Sequence, residues 1–95
     1  MTQKYNIQTV PVATAARLGA KPVTLQGVLL YGGSAASSVE FKNAATDTGT
    51  VLFSLNSPAN DSRWVNLSEI GGITFDVGCF CKPAGTAALV YAFYE

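Results

Sequence analysis

The stretch Ile73-Thr74-Phe75-Asp76-Val77-Gly78-Cys79-Phe80-Cys81-Lys82 repeats with a period of two. Ile73, Phe75, Val77, Cys79 and Cys81 fall on one side, and Thr74, Asp76, Gly78, Phe80 and Lys82 on the other. Successive side chains of a β-strand point to opposite faces, so the stretch reads as one half-buried strand with its apolar side inward. The same alternation recurs upstream. Val39 and Phe41 alternate with Glu40 and Lys42, and Val51, Phe53 and Leu55 with Leu52 and Ser54. Trp64 and Asn66 alternate with Val65 and Leu67. From Pro22 to Tyr31 the run sets Val23, Leu25, Gly27, Leu29 and Tyr31 against Thr24, Gln26, Val28 and Leu30. That strand becomes apolar on both faces toward its end.

Turn-forming clusters separate these runs: Gly32-Gly33-Ser34, the segments 43–49 and 56–62, Gly71-Gly72, and Lys82-Pro83-Ala84-Gly85. Strands at roughly 8–12-residue spacing with turn chemistry between them predict an all-β fold. We expect a single antiparallel β-sandwich, jelly-roll-like, of seven or eight strands over residues 20–95. The best helix candidate, Ala13 to Leu18, is short and ends at Gly19; a loop or a β-edge segment fits it better. Residues 1–19 form an N-terminal edge strand or an arm that pairs with a neighbouring subunit, because Pro11 removes a ladder donor.

With 95 residues the chain makes one domain. Size scaling gives a folded surface of roughly 5,200 Å² against roughly 14,400 Å² unfolded, enough for one modest core and no deep cleft. Charged residues make up 13% and hydrophobic ones 48%, and six basic residues balance six acidic ones. A surface this poor in charge is expected to be covered in part by another chain, and zero net charge leaves association unopposed. Nucleic acid is not an expected partner, since there is no basic surplus for its phosphates. Nor is a membrane, since no run approaches the ~20 apolar residues of a span. The polar start Met1-Thr2-Gln3-Lys4-Tyr5-Asn6 lacks the apolar core of a signal peptide, so a reducing cytosol and free thiols are expected.

The sequence contains no histidine, which removes Ser-His and Cys-His catalysis. Cys79 and Cys81 lack the further ligands a tetrahedral metal site needs, and read as small core hydrophobes. Asp47 and Asp61, with Asn43 and Asn60, lack calcium-loop spacing, and the remaining carboxylates are scattered. Neither Gly32-Gly33-Ser34 nor Gly71-Gly72 has the sequence of a phosphate loop. No catalytic residue, metal or cofactor is expected, and the protein is not expected to be an enzyme.

The aromatic residues are more informative. In the last strand Leu89, Tyr91 and Phe93 lie on one face, and Ala88, Val90, Ala92 and Tyr94 on the other. A strand apolar on both faces is central between covered layers or covered by a partner. Tyr91, Phe93, Tyr94 and Trp64 are therefore the candidate interface residues. Trp64 reads foremost as a cap on the core; as a stacking platform, it or Tyr94 would serve a carbohydrate-binding module.

The runs Val39-Glu40-Phe41-Lys42-Asn43, Thr48 to Phe53, Trp64-Val65-Asn66-Leu67, Gly72 to Gly78 and Ala88 to Glu95 carry a resemblance. Over residues 20–95 the order of strands and turns resembles small β-sandwich virion proteins of tailed bacteriophages, namely capsid decoration (cement) proteins and head-fibre or tail modules. The resemblance implies a non-enzymatic structural protein that stabilises the shell through protein–protein contacts. It implies a homo-oligomer bound to the major capsid protein or another virion protein, located in the virion after assembly in the host cytoplasm. The other reading is a carbohydrate- or receptor-binding β-sandwich module of a phage tail or fibre.

Overall fold

A computed structural model of the chain describes residues 5–19, 22–86 and 88–95. Among them are nine strands: β1 Asn6–Pro11, β2 Ala16–Leu18, β3 Val23–Tyr31, β4 Ser37–Asn43, β5 Thr50–Ser57, β6 Ser62–Asn66, β7 Ile73–Phe75, β8 Cys79–Ala84 and β9 Leu89–Tyr94. All pairings are antiparallel and build two sheets, β1-β9-β3-β6 with β7 also on β3, and β2-β8-β4-β5. The pairs are nested. Strand β4 pairs with β5, β3 with β6 and β7, β2 with β8, and β1 with β9. This is a long hairpin rolled into a sandwich, the jelly-roll topology.

The ninth strand arises from an interruption. Strands β6 and β7 lie along the same side of β3, against residues 27–31 and 23–25 respectively. Between them Leu67 to Gly72 leave the ladder. Asn66 Oδ1 accepts hydrogen bonds from the Ser68 backbone N–H and hydroxyl, and the Gly72 N–H returns to the Leu67 carbonyl. Gly71 and Gly72 close this excursion at φ of 86° and 83°, where a side chain would be strained. Buried Leu67 anchors it to the core.

One expected strand changes sheet and another changes face. The run Ile73–Lys82 is not one strand. Ile73 to Phe75 belong to the first sheet and Cys79 onward to the second, and Val77 between them is 60% exposed. Asn43 makes the corner: its Oδ1 accepts the Val77 N–H and its amide donates to Asp76 Oδ1. A Cβ at Gly78 would sit 2.9 Å from the Ala44 carbonyl oxygen, so the chain passes too close to that backbone for a side chain. Phe75 and the two cysteines still enter the same core, from opposite sheets, and so the alternation looks continuous. In β3 the register shifts between Leu25 and Gly27, so Val23 and Leu25 face inward before the bulge, and Val28 and Leu30 after it.

Residues 6–18 supply an edge strand to each sheet, β1 beside β9 and β2 beside β8, with a 3-10 turn over Val12–Thr14 between them. Met1 to Lys4 lie outside the described residues. The core holds Phe41, Phe75, Leu18, Leu25, Leu30 and Val28, each fully buried. The accessible surface is 5104 Å², close to the roughly 5,200 Å² expected of a compact monomer of this mass.

Candidate interaction surface

In the first sheet Val10, Val28, Leu30, Val90 and Ala92 point into the core, so their neighbours along each strand point outward. The register aligns these outward residues in three rows. Thr9, Tyr91, Leu29 and Trp64 form the middle row. Ile7, Phe93, Gly27 and Asn66 flank it on one side, and Pro11, Leu89, Tyr31 and Ser62 on the other. None of the twelve carries a charge. Trp64 is 53% exposed, with Tyr31 and Ile7 each at 50%.

The Trp64 indole packs edge-on against Phe93, with ring centroids 5.4 Å apart. It lies across Gly27, where a Cβ would meet Cη2 of the indole at 2.7 Å. A glycine here lets the indole settle on the backbone of the neighbouring strand. Trp64 therefore does not cap the core; the β6–β3 register turns it to the outside. Tyr91, Phe93 and Trp64 share one face, whereas Tyr94 does not. It alternates to the inner side, packs against the core cluster and points its hydroxyl at Gln8 Oε1, 3.4 Å away.

The outer face of the second sheet has the opposite character. Glu40, Lys42 and Lys82 stand on it, and Asp47 pairs with both lysines. The Lys42 ammonium, then that of Lys82, hold the Asp47 carboxyl below its usual range, and Asp47 in turn raises Lys82. A lowered carboxylate contributes stability above its unfolded pKa and loses it as pH falls; a raised lysine contributes below its unfolded pKa and loses it as pH rises. The trio should thus add nothing pH-dependent between about pH 5 and 9. Asp47 and Lys82 are exposed and only Lys42 is largely covered, so the trio should be worth little. Asp47→Asn is expected to leave the melting temperature nearly unchanged at pH 7, and a large drop would show that the trio holds the 44–49 loop.

Cys79 and Cys81 are both buried on the inner side of β8 as free thiols. Burial pushes the Cys79 thiol up to about 12, and that of Cys81 higher still. Neither ionises near neutrality, so a bulky maleimide should label the native protein only at its unfolding rate. Rapid labelling would contradict this packing. Among the described residues no three His, Cys, Asp or Glu side chains come together. An open depression of about 520 Å³ lies beside the end of β5, lined by Ala36, Ser37, Ser38, Asn56, Ser57, Pro58 and Arg63. Its lining holds one cation and no carboxylate or thiol, so it offers no nucleophile–base pair.

Compared with known protein families, curated proteins and solved structures, the chain matches none of them.

Proposed function

We propose that the protein is a non-enzymatic structural subunit that works by docking the outer face of its first sheet onto another protein. The carrying observation is the array of twelve uncharged residues centred on Trp64, Tyr91 and Leu29, set opposite a charged second face. Such a division suits a subunit lying between a solid surface and solvent. Together with the resemblance to phage β-sandwich proteins, it favours a capsid decoration protein bound to the major capsid protein. Four strands at about 4.8 Å and three rows at about 7 Å span roughly 400 Å². A standard interface takes about 800 Å² per partner, so this face holds firmly only when a second contact reinforces it.

The test is co-sedimentation with the shell that the protein decorates, using the wild type and Trp64→Lys. Wild type should pellet with the shell and Trp64→Lys should stay in the supernatant at unchanged fold. Equal pelleting of both would remove this face from the contact. Trp64 beside Asn66 also favours a second reading, stacking of a neutral sugar. A saturable change in the fluorescence of this sole tryptophan on adding neutral oligosaccharides would replace the structural reading with that one.

A further inference from the structure

Strand β5 ends the second sheet: it pairs with β4 and, among the described residues, with no other strand. The direction of its backbone groups follows from a proline. Pro83 in β8 has no N–H, yet it stands opposite Val39 of β4. An antiparallel pair that includes proline must be a non-hydrogen-bonded pair, so Val39 turns its N–H and C=O toward β5. Val39 opposes Leu55, which makes that pair hydrogen-bonded and the next pair, Glu40 with Ser54, non-hydrogen-bonded. Ser54 and Asn56 therefore turn their backbone N–H and C=O groups outward, away from the sheet.

A free edge of this kind is a template for another strand, and proteins that stay monomeric guard it with lysine, proline or short length. The other edges are guarded. Strand β1 ends in Pro11, and its Gln8 amide donates to the Arg17 carbonyl of β2, tying the two edges on that side together. Strands β2 and β7 have three residues each, and β6 has five with Arg63 among them. The eight residues Thr50 to Ser57 contain neither a charge nor a proline, and Val51 and Leu52 are exposed.

We propose that β5 pairs antiparallel with β5 of a second copy, about a two-fold axis at Leu55, joining two four-stranded sheets into one of eight. In this register Ser54 exchanges its two backbone hydrogen bonds with Asn56 of the other copy, and reciprocally. Leu55 meets its own equivalent, so two half-buried leucines at the rims of the two cores cover each other. A two-fold pair needs no complementary surface, because an uncharged strand is its own complement, and it closes at a dimer once both free edges are used. The contact is small and should be reversible with concentration. It is independent of the first-sheet face.

The experiment combines sedimentation equilibrium with amide hydrogen exchange. Wild type should shift from monomer toward dimer as concentration rises to the millimolar range, and the Ser54 and Asn56 amides should slow in step with it. Ser54→Lys/Asn56→Lys should be monomeric, as should Ser54→Glu/Asn56→Glu, because like charges face each other across the axis. Mixing the two variants should restore the dimer. Trp64→Lys should dimerise like wild type, which separates this contact from the proposed docking face. Circular dichroism melts of each variant show that the fold survives; if one does not fold, the wild-type exchange data decide alone. A wild type that stays monomeric, or dimers that form without slowing Ser54 and Asn56, would overturn the proposal.

Discussion

Replacing Phe41 by alanine is expected to lower the unfolding free energy by about 3–5 kcal/mol, the usual cost of deleting a buried phenylalanine ring. Phe41 is fully buried at the centre of β4 and packs its ring 6.0 Å from that of Phe53. It stands in register with Cys81 on one side and Phe53 on the other, so the cavity would open in the middle of the second sheet. Rigid strands on both sides leave little room for collapse, which places the loss toward the upper end of the range. A domain of this length holds about 5–15 kcal/mol in all, so up to most of its stability is at stake. Each kcal/mol moves the midpoint of a 60–100-residue domain by about 4–8 °C, so a fall of roughly 12–40 °C is expected in a calorimetric melt. A fall of less than 5 °C would mean that the core does not centre on Phe41.

Tyr94→Asp should show the second large effect, and it should be on folding. The ring packs against the core cluster at the end of β9, near Gly19 and Leu25, and its hydroxyl reaches Gln8. Aspartate would remove that apolar contact and set an unpaired carboxylate beside the core, a loss of about 2–4 kcal/mol. Trp64→Lys, on the outer face, should cost about 1 kcal/mol, mainly the edge-to-face contact with Phe93. Urea unfolding of the two variants side by side separates a residue of the core from a residue of the surface. Equal losses would show that Trp64 is as much part of the folded core as Tyr94.

The period of two was legible in the residues alone, because a half-buried strand must alternate whatever its neighbours are. It located β4, β5 and β9, and it separated Tyr91 and Phe93 from Tyr94. It did not locate β8, which begins only at Cys79 and runs through Lys82, Pro83 and Ala84, where the composition reads as a turn. Composition made an under-charged surface evident, and the absence of histidine is a property of the chain itself. What alternation does not carry is which strand lies beside which. Ile73 to Cys81 keep one apolar phase while the chain crosses from one sheet to the other, because both sheets face the same core. The bulge in β3 shifts the phase by one residue, and only the hydrogen-bond register of β9 reveals it. Trp64 could equally have capped the core or faced outward. Trp64 pairs with Leu29 and Leu29 with Tyr91, each across more than thirty residues of sequence, and those pairings alone gather an uncharged aromatic face from separate strands.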